Sequence, residues 1–498
     1  MADDQDRRMG SLDYQPLLQK AIRDRGTEFR SHYCTVAQCC PSRVSMWTGR
    51  AAHNTNVTDT RPPYGGWPQF IKEGHNDDYL PIWLQNAGYN TYYVGKMMNG
   101  LSVQNYDSPY PAGWNGTDFL VSPNLYQYYN ASFQRNHDPP VYHPGEYSGD
   151  LVTRKALDYL DEAADAAING GRPFFMVVSP IGPHSSAIIL PDRPIFSLPE
   201  AAPRHRSLFA NASVPRTPNF NPAAGGEASW LKDLPPLNAS EVAYGDEFYR
   251  RRLQALQSVD ELVDALVAKL DGDDDDDTGR RRRLADDTYV FYTSDNGFHI
   301  GQHRLPPGKS CGFEEDVLVP FFVRGPGVAE NAVVDWPTTH TDVAPTIFEL
   351  AGMELRDDFD GVPMPVRDRD VEAARREGVG KSRRRYEHVT VEFWGEGQGE
   401  GMYAGPDTPN NTYKFLRIIG DSYSLAYSVW CTNEHELYDM NPWRVLHPTG
   451  DVNVLLDALD ERFDKFYADQ NRVAFTECAL GYIKSAEGPM QVSTWQGA

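Results

Sequence analysis

Cys39 stands in the run Cys39-Cys40-Pro41-Ser42-Arg43, which continues Val44-Ser45-Met46-Trp47-Thr48-Gly49-Arg50. A cysteine in this register offers sulfur for nucleophilic, redox or metal chemistry. A zinc or redox cluster of Cys34, Cys39 and Cys40 is disfavoured, because no C-x-x-C pair or nearby histidine accompanies them. Other residues able to carry charge or protons fall in short polar runs. These are Asp3-Asp4-Gln5-Asp6, Gly95-Lys96-Met97-Met98-Asn99-Gly100, Pro180-Ile181-Gly182-Pro183-His184-Ser185, Ser294-Asp295-Asn296-Gly297 and the stretch from Gly301 through His303 to Lys309. Taken singly, each has an ordinary reading. Asp-Asp is a solvated terminus, Asp-Asn-Gly a turn, Lys96 a helix-start surface lysine and His184 a structural histidine.

Most of these runs sit where strands should end. Tyr89–Val94, Pro173–Ser179 and Thr288–Thr293 are rich in β-branched and aromatic residues, and each runs into a polar turn. In open α/β sheets, ligands bind at the carboxyl ends of strands. Leu256, Val259, Val263, Leu266 and Leu270 form a stripe at helical spacing, which predicts a core-facing helix over about 247–270. Another helix is expected over about 150–168. Strands alternating with amphipathic helices indicate an α/β domain. Residues 355–385 are rich in Arg, Asp and Glu and read as a charged connector. A strand then opens at His388, so the expected organisation is a catalytic domain over 1–385 and a C-terminal subdomain over 386–498. The run Asp273–Asp277 followed by Arg280–Arg283 lacks the alternate ligand spacing of a calcium loop and reads as a solvated insertion.

At 498 residues the chain is long enough for a large core, and its formal charge is −23. That charge disfavours non-specific binding to nucleic acid or anionic membranes. No run of 18 or more apolar residues exists to span a bilayer. N-x-[ST] sequons at Asn56, Asn115, Asn130, Asn211, Asn238 and Asn410 tilt the chain toward a secreted or lysosome- or vacuole-like setting. Cys431 with Cys478 is the expected C-terminal disulfide.

The cysteine run resembles the signature of type I sulfatases, and the likeness extends over nearly the whole chain. It looks closest to the branch of fungal arylsulfatases and N-acetylglucosamine-6-sulfatases. In that family the first cysteine of C-x-P-S-R is oxidised to formylglycine by a formylglycine-generating enzyme. The hydrated aldehyde then attacks sulfur, forms a covalent sulfate ester and expels sulfate as the aldehyde re-forms. The resemblance implies an alkaline-phosphatase-like α/β fold, with a large mixed sheet between helices and a smaller C-terminal antiparallel sheet. It implies formylglycine at Cys39, a role Cys40 cannot take, and one Ca2+ held by Asp3, Asp4, Asp295 and Asn296, all oxygen donors. Arg43 would brace the formylglycine hydroxyls, Lys96 and Lys309 the sulfate, and His184 the leaving oxygen. His303 and Asn99 are second-tier pocket residues.

The implied activity is hydrolysis of a small-molecule or carbohydrate sulfate ester, with an arylsulfatase ahead of a sugar 6-sulfatase. A phosphomonoester or phosphonate hydrolase, or an inactive homologue that only binds, are the alternatives. Two departures stand out. Met98 occupies a position where many sulfatases carry histidine. The apolar strand that precedes the family's Asp-Asp pair is missing, as is a secretion signal, so the expectation is a true start further upstream. Each hydrogen-bonding group left buried and unpaired costs ~1–3 kcal/mol. Were the chain to begin at Met1, Asp3 and Asp4 would be expected on a frayed terminus, where metal binding is disfavoured.

Overall fold

The computed structural model describes residues 1–445 apart from 191–193, 227, 273–283, 378–387, 406–410, 421–423, 433 and 441–443. The Asn90–Gly95 strand is buried at all six positions, which explains its apolar and aromatic composition. It pairs in parallel with Gly116–Leu120 on one side and Phe174–Ser179 on the other. Tyr129–Arg135 and Val141–Tyr147 extend this sheet in antiparallel fashion. A second sheet runs Val290–Thr293, Phe321–Arg324, Thr27–Phe29, Ala332–Val334. Helices Ser148–Gly170 and Ala239–Asp271 cover one face, and Cys39–Thr48, Leu80–Asn86 and Val343–Ala351 pack against the other core.

The long helix starts at Ala239 rather than near 247 because Asn238 caps it. Asn238 Oδ1 accepts from the amides of Ser240 and Glu241, and Glu241 reaches back to the Asn238 amide at 2.7 Å. Of its predicted stripe, Leu256, Val259, Val263 and Leu270 are buried and Leu266 packs partly buried against the core.

The two sheets meet along a short seam made by the first residues. The Ala2 amide donates to Thr293 O at 2.8 Å and the Asp3 amide to Gly182 O at 3.2 Å. The Met1 ammonium donates to Val178 O at 2.8 Å. Ala2, Asp3 and Asp4 are fully buried. The frayed end expected from the sequence is thus replaced by a segment pinned to both sheets, since each sheet supplies a backbone acceptor. Beyond the seam, the edges of Phe174–Ser179 and Val290–Thr293 border an apolar cavity of about 770 Å³, also lined by Val263, Leu266 and Ile347.

A separate antiparallel sheet, His388–Phe393, Tyr413–Ile419, Ser424–Trp430, His435–Asp439 and Arg444–Val445, completes the fold. Val389, Val391 and Phe393, alternating along the first strand, pack on Tyr33, Cys34, Phe313 and Val317. Gln398–Gly399 leaves this sheet to pair with Gly308–Lys309. The acidic insertion at 273–277, the 385/386 boundary and the Asn410 sequon lie outside the described residues. Cys431 is disulfide-bonded. Its expected partner, Cys478, also lies outside them. No described helix is long and apolar enough to cross a membrane.

Gly49 ends the Cys39–Thr48 helix with φ +67°, and a Cβ there would lie 2.6 Å from the Phe359 ring. Gly49→Ala is expected to destabilise the fold by about 2 kcal/mol or more through left-handed strain and overpacking. Urea unfolding should show a lowered midpoint with an unchanged slope.

Candidate active site

Cys39 opens the Cys39–Thr48 helix, preceded by an extended Gln38 whose side chain does not cap it. The unpaired amides and dipole of such a helix start favour an anion. Ser42, one turn in, donates to the Asp295 carbonyl at 2.5 Å and accepts from His340 Nδ1 at 2.9 Å. This hydroxyl ties the helix to the Ser294–Gly297 turn. Gly297 is required there, because a Cβ would lie 2.0 Å from Glu315 O.

Three carboxylates and three cations converge beside the Cys39 sulfur. Lys96 Nζ lies 2.7 Å from both Asp3 oxygens, and Lys309 Nζ lies 2.6 Å from both Asp4 oxygens. Arg43 Nε donates to Asp295 Oδ2 at 2.8 Å, while its Nη1 donates to Lys96 O and to Ser179 Oγ. Lys309 Nζ is 3.3 Å from Cys39 Sγ, and Asp3 and Asp4 each place an oxygen within 3.8 Å of it. All of these side chains are buried.

Their ionisation follows from that crowding. Burial and repulsion from Asp295 push Asp3 up to about 7 against the pull of Lys96 and Arg43. Burial also opposes ionisation of Asp4, but Lys309 and His184 hold it below the usual carboxylate range. Asp295 likewise overcomes burial through Arg43 and Lys96 and lies far below that range. Burial pushes the Cys39 thiol well up, so the unmodified side chain is a protonated thiol and a poor nucleophile.

His184 follows the Phe174–Ser179 strand, with its Nδ1 2.7 Å from the Ser185 carbonyl. A carbonyl only accepts, so Nδ1 carries a proton and Nε2, 3.6 Å from Asp4 Oδ2, faces the cluster. The ring stacks on Tyr126 with centroids 4.1 Å apart, and Lys96 Nζ stands 4.6 Å from the Tyr126 centroid. Asn99 donates to the Tyr126 hydroxyl at 2.8 Å and so reaches the site through that ring. Glu400 closes the same side, accepting from Ser185 Oγ and lying 3.6 Å from Lys309 Nζ.

The structure therefore brings together Asp3, Asp4, Cys39, Arg43, Lys96, His184, Asp295, Asn296 and Lys309. His303 is the correction. It stacks on Phe313 at 3.7 Å and gives its amide to Asn219 O, and none of its described contacts is with the cluster. Left-handed backbone at His303 and Arg304 turns the chain over before Lys309, and Arg304 anchors that turn on three carbonyls. Tyr126, Ser185 and Glu400 were not legible as site residues. Ser185 alone had a signal, its adjacency to His184.

The donor set fits a hard divalent cation. Asp3, Asp4, Asp295 and Asn296 all offer oxygen, and Asn296 Oδ1 is buried without a hydrogen-bond partner while Asn296 Nδ2 donates to Asp4 Oδ1 at 2.8 Å.

The family profile described as Sulfatase matches residues 1–353, and the chain belongs to that family. It is 35% identical to an "Arylsulfatase" of Volvox carteri over 536 residues, covering 96% of this chain and 80% of that protein. It is 41% identical to "Sulfatase ppz1" of Metarhizium majus, covering 74% of this chain and 86% of the relative. It is 30% identical to the human "N-acetylglucosamine-6-sulfatase", covering 86% and 75%. Among solved structures, BT4656 in complex with D-glucosamine-2-N,6-O-disulfate superposes with a TM-score of 0.70 at 19% identity, covering 95% of this chain and 98% of that one. The chain is a sulfatase with the expected α/β architecture.

Arg43 is the residue whose loss the cluster should tolerate least. Arg43→Met leaves Asp295 buried and short of charge, and equilibrium unfolding should show a loss of about 3–5 kcal/mol. Arg43→Lys should recover only part, because one ammonium cannot span Asp295, Ser179 and the Lys96 carbonyl together.

Proposed function

We propose that this sulfatase hydrolyses sulfate esters with formylglycine made from Cys39 and with a calcium ion held by Asp3, Asp4, Asp295 and Asn296. The observation that carries the reading is the position of the Cys39 sulfur at a helix start, ringed by Lys309, Asp3 and Asp4. The metal would polarise a sulfate oxygen and favour ionisation of a hydroxyl at residue 39. Formylglycine would supply paired hydroxyls there, one for attack on sulfur and one for release of sulfate.

The remaining chemistry falls to this chain's own side chains. Lys96 and Lys309 meet the charge of the sulfate oxygens as compact ammonium groups. Arg43 fixes Asp295 and the start of the helix. His184 presents Nε2, and with Lys309 it faces the oxygen that leaves sulfur. Tyr126 walls the pocket and keeps the His184 ring in plane. Burial of the whole set excludes water and strengthens each of these charges.

An aryl sulfate is the first substrate class to test, given the arylsulfatase relatives, and a carbohydrate 6-sulfate the second, given the N-acetylglucosamine-6-sulfatase. Passage through a secretory pathway is part of the proposal. Among the described sequons, Asn56, Asn115, Asn211 and Asn238 are exposed.

Mass spectrometry of the tryptic peptide Ser31–Arg43 from the native host should show formylglycine at Cys39; cysteine alone would sink the mechanism. Cys39→Ala should lower hydrolysis of 4-nitrophenyl sulfate at least about 1,000-fold. Turnover of 4-nitrophenyl phosphate in preference to the sulfate would favour a phosphoester hydrolase instead. Saturating calcium, at 100 times its Kd, should add about 2.7 kcal/mol to stability in thermal unfolding, and Asp295→Asn should abolish that gain.

A further inference from the structure

Glu400 is the carboxylate at this site that neither the nucleophile nor the metal reading uses. It follows Gln398–Gly399, the strand that pairs with Gly308–Lys309, and its amide donates to Pro307 O at 2.7 Å. The side chain is 1% exposed. A carboxylate buried this deeply persists only when its charge is matched and its lone pairs are used. Oε2 takes the Ser185 hydroxyl, and Oε1 lies 3.6 Å from Lys309 Nζ. Among the described residues, Lys309 is the cation within ion-pair reach of it.

One arm ends on Lys309, and the other reaches His184 through Ser185, the two side chains that the reading above sets against the departing oxygen. Ser185 is the residue whose carbonyl takes the Nδ1 proton of His184, so holding Ser185 fixes that ring's tautomer and plane. Lys309 is shared between Asp4 and Glu400. Asp4 is also a candidate metal ligand, and a carboxylate shared with a divalent ion holds an ammonium less firmly. Glu400 has no second claim of that kind. The short strand therefore fixes the Lys309 backbone by its ladder, and Glu400 just after it holds the Lys309 ammonium by its charge.

We propose that Glu400 is a positioning residue for the leaving group. It holds Lys309 directly, and His184 through Ser185, against the oxygen that departs when its bond to sulfur breaks. The negative charge left on that oxygen is met by the Lys309 ammonium, and by His184 only once its Nε2 also bears a proton; Glu400 itself exchanges no proton. The proposal rests on the sulfatase reading above and adds a residue from the C-terminal part of the chain to it.

The test compares wild type, Glu400→Gln and Ser185→Ala on aryl and alkyl sulfates of rising leaving-group pKa, using protein with Cys39 converted. Glu400→Gln keeps the size and an acceptor for Ser185 but loses the charge. Its kcat should fall about 10–100-fold for the poorest leaving group and less than about threefold for 4-nitrophenyl sulfate, with KM nearly unchanged. Ser185→Ala should steepen the same dependence less. An equal loss across the series, or an unchanged slope, overturns the proposal.

Crystal structures of wild type and Glu400→Gln give a readout independent of turnover. The Lys309 ammonium should shift by about 1 Å or more, enough to cost positioning. Unmoved Lys309 and His184 overturn the proposal even if the substrate is not a sulfate ester. If wild type hydrolyses no sulfate ester yet the shift is seen, the substrate reading fails and the positioning contact stands.

Discussion

The matching of three buried carboxylates with three buried cations governs this molecule. Asp3, Asp4 and Asp295 lie among Arg43, Lys96 and Lys309 with almost no exposure to water. A lone charge in such surroundings costs several kcal/mol, so each group is tolerable only while its partners hold position. Those partners come from segments scattered between Asp3 and Lys309. The start of the chain, the Cys39–Thr48 helix, the end of the Asn90–Gly95 strand, the turn after Val290–Thr293 and the Gly308–Lys309 ladder all have to arrive together. The sheets and helices are the apparatus that makes them do so.

The same constraint explains how much of the site could be read without coordinates. Cys39, Arg43, Lys96, His184, Asp295 and Lys309 sit in short runs with a fixed order of residue types, and each run closes a strand or opens a helix. Local sequence therefore carries their positions. The strands around 90–95, 174–179 and 290–293 were legible for a related reason, since each is rich in β-branched and aromatic residues and runs into a polar turn. His303 was misplaced because it is close to Lys309 in sequence, whereas two left-handed residues send its ring toward Phe313 instead. Tyr126 and Glu400 escaped altogether. One is an aromatic in a loop and the other lies 215 residues from the serine that binds it, so no periodicity or spacing announces either contact.

The seam at the start of the chain is the other instructive mismatch. A sequence argument from unpaired strand edges predicts a loose terminus. The structure instead supplies Thr293 O from one sheet and Gly182 O from the turn that follows a strand of the other, and two hydrogen bonds pin Ala2 and Asp3 between them. Pinning matters because Asp3 and Asp4 are the next residues to carry charge. Their carboxylates are placed by backbone bonds made beside them and then held by Lys96, Lys309 and Asn296.

The ladder between Gln398–Gly399 and Gly308–Lys309 is only two residues long, yet it links the C-terminal part of the chain to a lysine beside Cys39. Divergence in that part is then not free to follow surface demands alone. A substitution that slides its loop by one residue would exchange the side chain facing Lys309 and alter turnover without touching Cys39. Lineages of this architecture could retune which esters they cleave by drifting at this junction, while the cluster of buried charges stays unchanged beneath it.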